Sequence, residues 1–336
     1  MTRLTPTARG VLLAVVILLG VSWALFAGVV LPGGYEVGAS TFGIGLAVTA
    51  FVLGMRHAFD ADHIAAIDNT ARKLVGEGRD SSSVGLWFAL GHSTVVLVAV
   101  GLVTAGVGAV TSQIGVADSP LAAFTGVWGP AVSSLFLLAM GAVNLVILVR
   151  MFWRAGNDSS PDDDRRAAGG IVSGLITRMS APLNAPWKMY VVGLLFGLGF
   201  DTASTITLLL IAGGAGIVMP WYAAMVLPLL FTAGMVMCDG VNSVVMAGMY
   251  RWSVDRPERR RRYNATLITI SVAVAFIVGA VGLSGVLVDS LGVRWRPVEV
   301  IAATDLDTFG LIIVAVFIIV GATSGIVSRL GRASAA

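Results

Sequence analysis

Long uncharged apolar blocks, separated by short polar segments, dominate the pattern of this chain. About 20 apolar residues cross the hydrocarbon core as a helix. On that measure the blocks predict eight spans. They fall near 11–31, 41–66, 84–108, 129–152, 189–212, 222–250, 264–288 and 306–328. Pro220 and Trp221 mark the turn between the fifth and sixth. The fold expected is therefore all-α, a polytopic helical membrane protein. An even number of spans places both termini on one side.

Basic residues choose that side. Nineteen Lys and Arg residues fall in the tails and in the 2–3, 4–5 and 6–7 linkers, against only Arg294 and Arg296 in the other linkers. Such a bias predicts cytoplasmic termini, and the Arg259–Arg262 run is read as part of it. The first apolar run is longer than the core of a signal peptide and lacks a small-x-small cleavage site, so it reads as a retained span. Residues 153–187 form a polar cytoplasmic linker between helices 1–4 and 5–8. No internal repeat is evident, and residues 1–336 are taken as a single membrane transport domain.

Composition supports this picture. The chain is 57% hydrophobic and 12% charged, with a mean hydropathy of +0.89. Soluble domains carry about 25% charged residues. Disordered chains, coiled coils and nucleic-acid-binding modules are excluded. The single cysteine, Cys238, excludes an internal disulfide and a multi-cysteine metal site. The 41 glycines suit close helix packing in a bilayer.

Ionisable groups inside spans are costly and mark function. All three histidines, His57, His63 and His92, lie inside predicted spans. Arg56, Asp60, Asp62, Asp201 and Asp239 join them. On one continuous helix His57, Asp60 and His63 would cover an arc of about 120° and climb roughly 9 Å, with Asp62 nearly opposite unless the helix is distorted. His92 sits about eight residues into the third helix, roughly 12 Å deep, level with the His57–His63 group. Asp201 lies near the middle of the fifth helix and Asp239 in the cytoplasmic half of the sixth.

Imidazole with carboxylate suits nickel(II), cobalt(II) or zinc(II), whereas calcium and magnesium prefer all-oxygen sites. A His–Asp network that ties helices together and a proton relay are the alternatives. Asp239 and Asn242, three apart, share a helix face, and Asn242 offers a neutral oxygen. Arg56 offsets nearby carboxylates. Cys238 and the methionines at 235, 237, 246 and 249 read as packing. Asn144 reads as an interhelical hydrogen-bonding residue. Ser93 and Thr94 bond backbone or orient His92. Asp305 and Asp307 cap the last helix, and Asp68 lies near the membrane surface.

The helix 2 segment RHAFDADHIAAIDNTARKL, Arg56 to Leu74, resembles the signature of the nickel/cobalt transporter (NiCoT) family of secondary permeases. FALGHSTVV (Phe88–Val96), LFGLGFDTAS (Leu195–Ser204) and GMVMCD (Gly234–Asp239) resemble the second, third and fourth family motifs. The resemblance implies eight spans, cytoplasmic termini and a metal site built on His57, Asp62 and His63, followed by His92. Two acidic residues usual in the family are replaced. Thr205 follows the third motif, and the fourth runs Asp239, Gly240, Val241, Asn242.

The function implied is transport of nickel(II) and/or cobalt(II) across the cell membrane, by alternating access and in the direction of uptake. Efflux, or transport of another divalent transition metal, is the alternative. Buried Asp and His groups make proton coupling a further expectation. The partners expected are the metal ion as substrate and the lipid bilayer, with no catalytic cofactor and no nucleic acid. No GxxxxGK[ST] loop appears, so no ATPase function is built in and no ATPase subunit is expected. An intramembrane metalloenzyme, the rival class, would need an HExxH-like site that the chain lacks.

Overall fold

The apolar blocks fold into helices, because a chain in lipid must satisfy every backbone polar group internally. The computed structural model describes residues 4–37, 40–41, 43–105, 119–156, 184–199, 219–254 and 257–304, with Leu208, Ile211 and Ile312 singly. Among these residues ten α-helices are ordered α1 (Pro6–Leu25), α2 (Ile44–Ala58), α3 (Ala61–Gly76), α4 (Val84–Thr104), α5 (Pro120–Gly156), α6 (Met189–Gly197), α7 (Trp221–Ala224), α8 (Val226–Val254), α9 (Pro257–Gly285) and α10 (Arg296–Ala302). A two-residue-per-strand hairpin, β1 (Glu36–Val37) with β2 (Ser40–Thr41), follows α1. Among the described residues the protein is all-α but for this hairpin. Among the described residues, five helices are long and apolar enough to cross a membrane, six if the bent pair α2–α3 counts as one.

Local sequence explains the ends. Pro6 opens α1 at a position that tolerates proline, and Thr5 accepts the Ala8 N–H at 3.1 Å. Leu13, Val16, Ile17 and Val21 remain exposed on α1, the face expected against lipid. Helix α8 is the opposite case and is largely buried. It packs against α1, α2, α3 and α4, while α5 pairs with α9 and α4 with α6.

The second predicted span needs correcting. It is not one helix over 41–66 but two, α2 and α3, bent by 55°. The break falls at Phe59 and Asp60. Phe59 leaves helical geometry (φ −88°, ψ 2°) and Asp60 is extended (φ −62°, ψ 141°) at the N-cap position of α3. Aspartate favours that position over a helix interior. The single-helix stripe of His57, Asp60 and His63 is thus replaced by groups on either side of a bend.

Helix α3 also runs ten residues past the predicted end and is buried almost throughout. Arg72 and Lys73, assigned to a cytoplasmic linker, lie inside the protein at 8% and 3% exposure. Asp68 is likewise buried inside the protein. Of the expected linker 153–187, residues 153–156 continue α5 and Pro186–Lys188 form a 3-10 turn, while 157–183 lie outside the described residues. The predicted eighth helix with Asp305 and Asp307, and Asp201 with Thr205, also lie outside them.

Candidate metal centre

The bend between α2 and α3 delivers two histidines to one point. His57 is in the last turn of α2 and His63 in the first turn of α3. His92, from the middle of α4, joins them. All three are buried, at 1–3% exposure. One ligand nitrogen from each lies within 4.8 Å of the others. The ring centroids are 4.6 Å apart for His57–His63, 4.6 Å for His57–His92 and 4.9 Å for His63–His92.

Such a triangle fits a transition metal. Even at its widest, an ion at the centre would lie about 2.8 Å from each nitrogen, against the about 2.1 Å of a metal–imidazole bond. Side-chain shifts of under about 1 Å close the difference. Two carboxylates attend the triad. Asp60 Oδ2 lies 3.1 Å from His57 Nδ1, and Asp239 Oδ2, from α8, lies 3.4 Å from His63 Nδ1. A carboxylate behind an imidazole fixes the ring and raises its basicity as a ligand. The second oxygen of Asp239 is buried with no hydrogen-bond partner. A buried, unsatisfied carboxylate oxygen beside three imidazoles is a site that favours a cation.

The walls around the triad are apolar and close. Phe88 meets His63 edge-on at 4.8 Å, and Phe231 lies 5.7 Å from His57. Helices α4 and α6 cross at Gly91 and Gly193. A Cβ on Gly91 would strike the Tyr190 carbonyl, and one on Gly193 the Phe88 carbonyl. Glycine at both positions lets the backbones touch, which anchors His92 one residue from the crossing.

Other sequence candidates sit outside the triad. Asp62 accepts the His63 backbone N–H at 2.9 Å and, with Asp60, lines a cavity between α3, α5 and α9. Asn242 lines a separate, largely apolar groove with Cys238 and Met246. Thr94 bonds the Leu90 carbonyl and the Tyr190 hydroxyl, while Ser93 Oγ is buried without a partner. Asn144 makes the interhelical bond expected of it, donating to Asn69 Oδ1 at 2.6 Å.

Sequence reasoning missed a second polar constellation. Arg72 donates to Asp68 at 3.3 Å, to Tyr250 at 2.6 Å and to Ser271, and Tyr250 in turn donates to Asp68. The network ties α3 to α8 and α9. Its one readable signal was Asp68 and Arg72 at i,i+4 spacing.

Several helices long and apolar enough to cross a membrane, with three buried imidazoles gathered among them, define an all-α polytopic membrane protein. Residues 43–326 match the NicO family, described as high-affinity nickel-transport protein, and the chain belongs to this family. It is similar to the nickel transporter NicT of Mycobacterium tuberculosis, 40% identical over 96% of this chain and 89% of the relative. It is also similar to the high-affinity nickel transport protein of Cupriavidus necator, 40% identical over 86% and 84% of the two chains. The cobalt transport protein NhlF of Rhodococcus rhodochrous is 37% identical over 77% and 76%. No solved structure matches the chain. Family membership makes it a transport protein and not an enzyme, which removes the metalloenzyme reading.

Proposed function

We infer that this protein is a secondary permease carrying nickel(II) or cobalt(II) inward across the cell membrane, with His57, His63 and His92 holding the ion in transit. One observation carries the reading: three buried imidazoles from three helices bring their ligand nitrogens within 4.8 Å. Neutral imidazole selects borderline divalent metals over magnesium and calcium. The names of the relatives, nickel transporters together with a cobalt transporter, supply the two ions.

The proposed architecture has eight spans. The described helices provide the first four, the start of the fifth, the sixth and the seventh, and the apolar block 306–328 is the eighth. Both termini are cytoplasmic. With Arg72 and Lys73 set aside as buried, the basic bias is still seventeen against two. In this orientation the Arg259–Arg262 end of α9 faces the cytoplasm and the Val286–Ser290 end faces outward. The bend at Phe59–Asp60 places the triad at a broken helix, where loosened backbone permits rearrangement between outward and inward access.

Accumulation of nickel and cobalt by intact cells expressing the full chain tests this function. Time-dependent uptake is expected, with His63→Ala abolishing it while the protein remains in the membrane. Equal accumulation by cells with and without the protein would overturn the reading.

A further inference from the structure

A cavity of about 330 Å³ opens beside the triad, lined by α3, α5, α9 and the start of the outer loop. Its wall carries Asp60, Asp62 and Asp289, and among the described residues no basic side chain lines it. Arg294, the basic residue nearest in sequence to Asp289, lies 3.7 Å from Glu299 instead. Ser134 of α5 also lines the cavity. It is 1% exposed, and among the described residues its hydroxyl has no hydrogen-bond partner. A Cβ on Gly282 would run into that hydroxyl, so the absence of a side chain there keeps the Ser134 wall open.

The floor of the cavity is the triad's own neighbour. Asp60 lines it and also lies 3.1 Å from His57. The cavity sits at the Gly285 end of α9 and the Val286–Ser290 turn that follows it, remote from the Arg259–Arg262 run. An ion with six waters occupies about 180 Å³, at about 30 Å³ per water, so a hydrated divalent cation fits without losing its shell. Carboxylates and a hydroxyl suit outer-sphere contact with such a shell.

We propose that this cavity is an outer vestibule that concentrates hydrated divalent cations and passes them by way of Asp60 to the imidazole triad. The proposal rests on the permease reading and on its orientation. Walls of one charge sign focus the field in a cleft and raise the local concentration of the opposite ion. Asp289, at the mouth, acts on capture. The triad, which strips the water, acts on selection.

Initial uptake rates in intact cells over a range of external nickel test the vestibule. Asp289→Asn is expected to raise KM about three- to tenfold and Asp289→Lys more, with a much smaller change in the rate at saturation. Raising external salt should shrink the difference between wild type and Asp289→Asn. Adding Ser290→Asp to Asp289→Asn, which returns a carboxylate to the same wall, should restore KM; a merely structural role for Asp289 would give no such rescue. An unchanged KM in Asp289→Lys, in a protein whose wild type accumulates nickel, would overturn the vestibule and leave the permease reading intact. A wild type that accumulates neither metal would overturn both.

Discussion

His57 and His92 face each other Nε2 to Nε2 at 2.9 Å, though they lie 35 residues apart on two different helices, α2 and α4. At that distance one nitrogen carries a proton and the other accepts it. A metal bound by both nitrogens must displace that proton, to the Nδ1 of the same ring or to solvent. Nickel affinity is therefore expected to rise with pH and to fall on acidification, because protonated imidazole is no ligand. Equilibrium nickel binding by the purified protein over a pH series checks the sign. His57→Ala and His92→Ala are each expected to lower uptake at least about a hundredfold, having removed a ligand rather than its support.

Asp239, from α8, supports His63. Its Oδ2 lies 3.4 Å from the ring Nδ1 and its Oδ1 is buried without a hydrogen-bond partner among the described residues. Asp239→Asn keeps the shape and removes the charge. Nickel affinity should fall about 10- to 100-fold, with thermal stability of the metal-free protein maintained or improved, since the desolvation cost of a buried carboxylate is removed. Titration and melting of the same preparation check both halves.

Gly91 has no contact with metal, yet its neighbour His92 depends on it. Gly91→Ala forces α4 away from the Tyr190 carbonyl. Affinity is expected to drop about tenfold or more without loss of any ligand. Gly101→Ala, whose new Cβ would meet only Met225 Sδ at 3.9 Å, serves as the control and should bind as wild type.

Arg72 and Asp68 form a buried pair whose members cannot be lost singly without cost. Arg72→Met strands the Asp68 carboxylate and should destabilise by about 3–5 kcal/mol, whereas the double variant Asp68→Asn with Arg72→Met should recover much of that loss. A double-mutant cycle on thermal unfolding in detergent measures the coupling. Additive effects of the two single changes would show the pair to be uncoupled.

The spans of α1, α4, α8 and α9 were readable because apolar blocks of membrane length have few other solutions. The histidines were readable for the converse reason: three ionisable side chains were confined to those blocks. The bend at Phe59–Asp60 was harder, since its signal, an aspartate in a helical stretch, competes with the apolar pattern on both sides. Helix α3 misled the loop count because Asp68, Arg72 and Lys73 read as solvated charges when each is buried, Arg72 and Asp68 by way of Tyr250 and Ser271. Those partners lie some 180–200 residues away, beyond any local pattern. Asp289 was hidden in the same way: it follows an apolar block as an ordinary end-of-helix charge, and only packing against α3 and α5 reveals the cavity it shares.

X-ray absorption at the nickel K-edge of the purified protein, loaded with one nickel per chain, tests the imidazole triad most directly. Three imidazole ligands at about 2.1 Å are expected, with one fewer in His92→Ala. A spectrum of oxygen ligands alone, unchanged by that substitution, would contradict a metal centre built on His57, His63 and His92.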